Sequence, residues 1–257
     1  MFKQLTNIRR RIAQHLINRR GWSTGRKIVV IESDDWGSIR MPSGDAYSAL
    51  QKQGVPVEKS PYCRYDSLAS EKDLELLFST LRSYRDSAGN HPVITANCVV
   101  SNPDFEQIDE SGFAGYFCEP ISVTFQRYPE HQNCLEIWKQ GNRERLFHPQ
   151  SHGKEHLNSS HWLNLLRNDD ADFRLAFENR CWGLSSDLYP EMKRSVQASF
   201  DMEDLGDLDA QAVAIREGLR LFEEIFGYRS RSFIANNYIW SEELNGVLAE
   251  CGVRYLQ

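Results

Sequence analysis

Short apolar runs alternate with amphipathic helical segments along most of this chain, a pattern that favours a small set of α/β folds. Residues 27–32 and 92–100 are predicted to be buried strands, and residues 70–85 between them a helix. Two strands joined through a helix are typical of a parallel βαβ unit. Further helices are predicted at residues 130–141, 158–168, 208–226 and 241–251, and further strands at 145–150, 231–236 and 253–256. The pattern predicts an α/β fold with one long loop at residues 101–127.

The length of 257 residues suits one large core, so we expect a single α/β domain at residues 26–257 after a helix at residues 1–25. Apolar residues of that helix recur three and four positions apart, at Phe2, Leu5, Ile8, Ile12 and Leu16. Residues 1–27 hold eight Lys or Arg and no acid. A basic amphipathic helix either lies on an anionic membrane surface or packs over the domain, and the sequence leaves both alternatives open.

The rest of the chain is acidic, with 22 Lys or Arg against 36 Asp or Glu. Phosphate binding needs clustered cations, so we do not expect this body to bind nucleic acid. Six scattered cysteines without a CxxC pair predict reduced thiols. We recognise no signal peptide or transmembrane stretch, so we expect a cytoplasmic location, with membrane association through the first helix as the alternative. The oligomeric state stays open.

Polar side chains follow several predicted strands, which is where active sites form in barrels and open parallel sheets. Asp34 and Asp35 follow the first strand, and His152 and His156 follow the strand at 145–150. Adjacent carboxylates repel each other unless a cation lies between them. One Asp with two His is a ligand set typical of catalytic metals. The two motifs together therefore predict a metal site.

Each motif also has a simpler interpretation. Aspartates such as Asp34 and Asp35 are common in turns and at helix caps. His152 and His156 are compatible with surface histidines at a helix cap. His148 is an alternative ligand, because it lies near the end of the same predicted strand.

The motifs SDDWG at residues 33–37 and HGKEH at residues 152–156 resemble the first two motifs of the polysaccharide deacetylase family, the NodB-like carbohydrate esterases. The first family motif ends in two aspartates and a glycine, and the second has two histidines four residues apart. Residues 231–238 are similar in position to its Arg-x-Pro-Tyr-like third motif. The resemblance covers residues 26–257 and implies an irregular, seven-stranded (β/α) barrel.

The resemblance also implies roles for individual residues. Asp34 is expected to be the general base, and Asp35, His152 and His156 to bind a divalent metal. Zinc is the first expectation, with Co, Ni, Fe and Mn as alternatives. The implied enzyme is a C–N hydrolase that removes acetyl groups from N- or O-acetylated sugars of a polysaccharide. The glycan substrate is expected to contact Asn237, Tyr238 and Trp240.

The sequence departs from the family pattern at two places. Ile234 and Ala235 stand where the third motif has its Arg and Pro. No histidine follows His161, although the last family motif supplies a histidine as general acid. We therefore expect a barrel that is incomplete at its carboxyl end, in a chain that is part of a longer protein.

Two other functions remain open on the same residues. One is a non-catalytic carbohydrate-binding or regulatory relative of the deacetylase barrel. The other is a metal-independent glycoside hydrolase, in which Asp34 works with a second carboxylate such as Glu32 or Asp187.

Overall fold

The computed structural model describes residues 9–11, 13–17, 21, 23–184 and 186–257. The chain divides into two compact units, Met1–Val30 and Ile31–Gln257. In the first unit, residues 9–11 and 13–17 are helical and exposed, including Leu16. The other apolar positions of the predicted amphipathic helix, Phe2, Leu5, Ile8 and Ile12, lie outside the described residues. Among the helices that the structure describes, none is both long enough and apolar enough to cross a membrane.

The second unit contains the strands β1 (Ile31–Trp36), β2 (Ile94–Cys98), β3 (Ser101–Pro103), β4 (Cys118–Pro120), β5 (Phe147–Ser151), β6 (Ser232–Phe233) and β7 (Tyr255–Leu256). Five of them form a parallel sheet in the order β1-β2-β5-β6-β7, and β3 pairs with β4 in a separate antiparallel ribbon. This confirms the predicted α/β class with a mostly parallel sheet. Within the described part of the chain, a closed seven-stranded barrel is not formed.

The helices of this unit are α1 (Gly44–Lys52), α2 (Pro61–Tyr65), α3 (Glu71–Arg82), α4 (Phe105–Glu110), α5 (Ile121–Gln126), α6 (Cys134–Arg143), α7 (Ser159–Arg167), α8 (Ala171–Glu178), α9 (Asp207–Phe226) and α10 (Asn245–Glu250). Short 3-10 turns lie at Val57–Lys59, Pro129–His131, Asn236–Tyr238 and Glu242–Leu244. Ser70 is the N-cap of α3, where Ser70 and Asp73 form a reciprocal capping box. Gly227 ends α9 with a left-handed φ of 78°.

The first strand starts later in the chain than the apolar run at residues 27–32 predicts. Strand pairing begins at Ile31, opposite Ile94 of β2, whereas residues 27–30 have no regular structure and are exposed. An apolar run indicates which segment can form a strand, but the partner strand decides its register. As a result, Asp34 and Asp35 lie inside β1 and not behind it.

Three further predictions differ from the structure, because the elements concerned are too short to show a helix or strand period in the sequence. The predicted loop at residues 101–127 contains the β3–β4 ribbon with α4 and α5. The strand predicted at residues 231–236 is only two residues long. The helix predicted at residues 241–251 is a 3-10 turn followed by α10.

The sheet curls so that its two edges approach each other. Gln257, after β7, donates through Nε2 to Glu32 Oε2 of β1 at 2.6 Å. Aromatic rings fill the space between the sheet and helices α3 and α6, where Trp36 and Phe147 lie 4.9 Å apart and Trp138 is fully buried. All six cysteines are free, as predicted. Because β1, β2 and β5 are parallel neighbours, their carboxyl ends lie at the same edge of the sheet.

Candidate metal centre

An irregularity in β1 directs two adjacent carboxylates into one cavity. The register against β2 shifts between Ser33 and Trp36, and Asp35 has a left-handed backbone with φ of 68°. Neighbouring side chains of a regular strand point to opposite faces. The shift interrupts this alternation, and Asp34 and Asp35 both line a cavity of about 380 Å³. Aspartate tolerates the left-handed region better than most residues, so it suits this bend.

Two histidines reach the same cavity from the end of β5. His152 follows the strand directly, and its backbone N–H donates to the Cys98 carbonyl at 2.9 Å. Gly153 then takes a φ of 93°, and a Cβ there would lie 3.2 Å from Asn236 Oδ1, so the turn favours glycine. The turn brings His156 back to the cavity. Both histidines are buried, with 2% and 4% of their surface exposed.

One oxygen of Asp35 faces both imidazoles. Asp35 Oδ1 lies 3.1 Å from His152 Nε2 and 3.0 Å from His156 Nε2. His152 Nδ1 lies 3.0 Å from the Ile234 carbonyl oxygen, which can only accept, so Nδ1 carries a proton. In a neutral imidazole, Nε2 then turns a lone pair toward the carboxylate. The two atoms repel each other unless a cation, either a proton or a metal ion, lies between them.

The three facing atoms fit a divalent metal. Asp35, His152 and His156 each offer one ligand atom, and these atoms lie within 4.8 Å of one another. Metal bonds of about 2.0–2.2 Å place neighbouring ligand atoms roughly 3.0–3.5 Å apart, which agrees with both measured separations. Two imidazoles and one carboxylate suit Zn, Co, Ni, Fe and Mn alike, so the donor set leaves the identity of the metal open.

The protonation states of Asp35 and His156 also favour the binding of a cation. Burial alone would raise the pKa of the Asp35 carboxyl, but hydrogen bonds with His152 and His156 and the charge of Arg40 hold that pKa well below its usual range. Burial holds the pKa of His156 below its ordinary value, although Asp35 acts in the opposite direction. Near neutral pH, Asp35 is therefore an anion and His156 a neutral imidazole, which are the forms that bind metals.

The second carboxylate, Asp34, has a different environment. It is exposed to the cavity and is not part of the group of three ligands. Asn97 of β2 is buried and donates through Nδ2 to Asp34 Oδ1 at 2.7 Å and to Glu32 Oε1 at 3.0 Å. A single amide thus fixes two carboxylates that lie two residues apart on β1.

Of the three residues predicted to contact substrate, two line the cavity. Asn237 and Tyr238 line the cavity, and both have left-handed backbones, with φ of 56° and 57°. Trp240 is not among the described residues that line it, and its Nε1 donates to Asn245 Oδ1 at 3.2 Å. Tyr62 also lines the cavity, with 49% of its surface exposed.

The sequence places Asn97 among the polar residues expected near the strand ends, but it indicates no function for its amide and none for Arg40, which binds Asp35. Asn97 left a signal, since it is an amide in a strand that is otherwise apolar except for Thr95. Arg40 left none, because its contacts with Asp35, five residues away, and with Asp66, 26 residues away, follow no helix or strand period. The alternative ligand His148 lies outside the ligand group, where its ring stacks on Tyr228 at 6.0 Å.

Comparisons with known proteins give a distant likeness of fold. No family model matches the sequence, and no curated protein matches it significantly. A 4-alpha-glucanotransferase from Thermococcus litoralis has 9% identity and a TM-score of 0.39, over 88% of this chain and 21% of that protein. A polysaccharide deacetylase from Bacillus cereus has 10% identity and a TM-score of 0.37, over 90% of this chain and 57% of that protein.

The deacetylase PplD from Streptococcus pyogenes, solved with acetate, has 10% identity and a TM-score of 0.35, over 89% of this chain and 82% of that protein. The chain thus spans about a fifth and somewhat more than half of the first two proteins. Similarity at this level concerns the fold alone.

Proposed function

We propose that this protein is a metal-dependent hydrolase that removes acetyl groups from N- or O-acetylated sugars. The observation that carries the proposal is the convergence of Asp35 Oδ1 on the Nε2 atoms of His152 and His156. Three ligands from one side leave positions free for substrate and water. Asp34, in the same cavity but outside the ligand group, is a carboxylate available for proton transfer.

A divalent metal held by these ligands would polarise the acetyl carbonyl and lower the pKa of a bound water. Asp34 accepts a proton as the water oxygen bonds to the acetyl carbon. The C–N or C–O bond then breaks, and the leaving nitrogen or oxygen takes up a proton, for which the protonated Asp34 lies in the same cavity. Acetate and a free amine or hydroxyl are the products.

The remaining lining residues have roles in orientation. Asn97 donates to Asp34 and keeps that carboxylate directed into the cavity. The backbone N–H of Tyr238 already donates to the Ala235 carbonyl at 2.9 Å, so Asn237 supplies the candidate N–H for the developing oxyanion. The exposed rings of Tyr62 and Tyr238 offer apolar faces to a sugar.

The decisive measurement is acetate release from N-acetylated chito-oligosaccharides and O-acetylated glycans, with and without added Zn²⁺ or Co²⁺. Asp34→Asn should lower kcat by roughly 10²–10⁴-fold while bound metal stays stoichiometric, because only the proton acceptor is lost. Asp109→Asn, at an exposed carboxylate on α4, is the matched control and should behave as the wild type. Equal hydrolysis by Asp34→Asn and the wild type would remove Asp34 from the mechanism.

The same assay separates the two alternative functions. A carbohydrate-binding relative would retain oligosaccharides in a binding assay but release no acetate at any metal concentration. A glycoside hydrolase would release reducing ends after complete chelation, and its activity would fall in both Asp34→Asn and Asp187→Asn, since both residues line the cavity. Either result would replace the proposed deacetylase activity.

A further inference from the structure

Arg40 is a buried cation at the edge of the candidate metal centre. Its side chain is only 3% exposed, and it follows the turn that ends β1. Nη2 donates to Asp35 Oδ2 at 2.6 Å, and Nη1 donates to Asp66 Oδ2. The guanidinium therefore joins a predicted metal ligand to a second carboxylate, Asp66, that lies just after α2.

The contact with Arg40 gives the two oxygens of Asp35 different partners. Oδ1 faces the Nε2 atoms of His152 and His156, and Oδ2 is held by Arg40. A carboxylate that turns freely about its χ2 bond can offer a metal one oxygen or both. A charge-assisted hydrogen bond to Oδ2 stops that rotation and leaves Oδ1 as the single ligand atom.

Two aromatic rings pack against the guanidinium of Arg40, and one glycine leaves room for the base of its side chain. The guanidinium carbon lies 5.4 Å from the Tyr62 ring centre and 6.0 Å from the Trp182 ring centre. Trp182 also stacks on the metal-facing His156, with ring centres 6.3 Å apart. A Cβ at Gly183 would lie 2.5 Å from Arg40 Cβ, so a side chain there would displace the arginine.

The charge of Asp66 explains how a cation can lie so close to a metal. An isolated guanidinium next to Asp35 would repel a divalent ion and weaken its binding. Asp66 gives the pair with Arg40 a net charge of zero, so the arginine can orient Asp35 with little electrostatic cost to the metal. The side chain of Asp66 is 32% exposed and so keeps part of its contact with water.

We propose that Arg40 and Asp66 form a clamp that fixes Asp35 as a one-oxygen metal ligand. Both are positioning residues, because they act on the metal through Asp35 and do not touch it. The proposal rests on metal binding in the proposed function, but it is independent of the reaction and of the substrate.

The test is a Co²⁺ titration of the metal-free protein, following the visible absorption spectrum and measuring Kd by competition with a chelator. Arg40→Met should weaken Co²⁺ binding by roughly 10–100-fold and change the spectrum, because Asp35 is then free to chelate with both oxygens. Arg40→Lys keeps the charge without the planar fork, so it should change the spectrum with a smaller loss of affinity. Asp66→Asn should weaken binding but largely keep the spectrum, since Arg40 still holds Oδ2.

Arg127→Met is the matched control. Arg127 also makes a charge-assisted pair with a buried carboxylate, Glu119, through Nη2 at 2.7 Å, but it does not line this cavity. This variant should bind Co²⁺ as the wild type does. If circular dichroism shows that Arg40→Met does not fold, Arg40→Lys and Asp66→Asn are compared with the wild type instead.

Two results would overturn the clamp while leaving the metal site intact. One is an Arg40→Met or Arg40→Lys protein with the Kd and spectrum of the wild type. The other is tighter binding with an unchanged spectrum, which would show that Arg40 acts only as a repelling charge. A wild-type protein that binds no Co²⁺ would refute the metal site itself, and with it both the clamp and the proposed function.

Discussion

The cavity has two sides that differ in how firmly they are held. On the inner side, His152 and His156 are almost fully buried, and Asp35 contacts His152, His156 and Arg40. On the outer side, Asp34 and Tyr238 are exposed, and the segment containing Tyr238 has two successive left-handed residues. The side chains of the inner side are therefore held in one arrangement by several contacts each, whereas those of the outer side are open to solvent.

The largest expected effect comes from removing an inner ligand. His152→Ala should lower Zn²⁺ and Co²⁺ affinity by more than the roughly 10–100-fold typical of residues behind the ligands, because one of three donor atoms is lost. Saturating metal at about 100 times Kd should stabilise the wild type by about 2.7 kcal/mol, and this gain should disappear in the variant. Equilibrium dialysis and thermal unfolding with and without metal measure both effects.

His148→Ala is the control for that comparison. It removes an imidazole from the same strand, but one that stacks on Tyr228 outside the ligand group. Its metal affinity should equal that of the wild type. Loss of metal in His148→Ala but not in His152→Ala would mean that the ligand set is wrong.

An intermediate effect is expected at the border between the two sides. Asn97→Ala removes the amide that orients Asp34, so kcat should fall by up to roughly 10²-fold while metal affinity is retained. The lost hydrogen bonds to two carboxylates should also lower the free energy of unfolding by about 1.5–3 kcal/mol. Steady-state kinetics of metal-loaded protein, with denaturant unfolding in parallel, separate the two contributions.

Asn158→Ala provides the comparison for stability alone. Asn158 is a buried amide that caps α7 and donates to the Ala198 and Asp201 carbonyls, away from this cavity. It should lose similar stability without a change in kcat. If both variants reduced kcat equally, the effect of Asn97 would be a general consequence of destabilisation.

The smallest effect is expected on the outer side. Tyr238 is 65% exposed and has a φ of 57°, a conformation that costs a residue with a Cβ about 1–2 kcal/mol. Tyr238→Gly removes that strain but adds freedom to the unfolded chain, so it should be more stable than Tyr238→Ala by up to about 1 kcal/mol. Both variants should raise KM for a glycan substrate, because both lose the ring.

Thermal unfolding and KM measurements on these two variants test the backbone and the ring separately. A Tyr238→Gly protein that is less stable than Tyr238→Ala would show that the left-handed turn is not strained. Unchanged KM in both variants would remove the Tyr238 ring from the substrate site.

Much of the fold could be predicted because it follows from local patterns. The capping box of α3 and the glycine that ends α9 each involve only a few neighbouring residues, and the spacing of apolar residues indicates both helices. The predictions that were wrong concern the short elements and the start of β1, whose pairing begins at Ile31 and not at residue 27. β6 has two residues, and strands of that length are fixed by their partners and not by their own sequence.

The reactive groups can be read from the order of amino acids: two adjacent carboxylates, two histidines four residues apart, and an acidic body that follows a basic first segment. Their arrangement in space depends on the folded chain. The register shift of β1 sends Asp34 and Asp35 into the same cavity, although neighbours on a strand normally diverge. Folding also brings Arg40 to Asp35, Asp66 to Arg40 and Asn97 to Asp34. The last two contacts join residues far apart in the chain, and they depend on packing that leaves no periodic signal in the sequence.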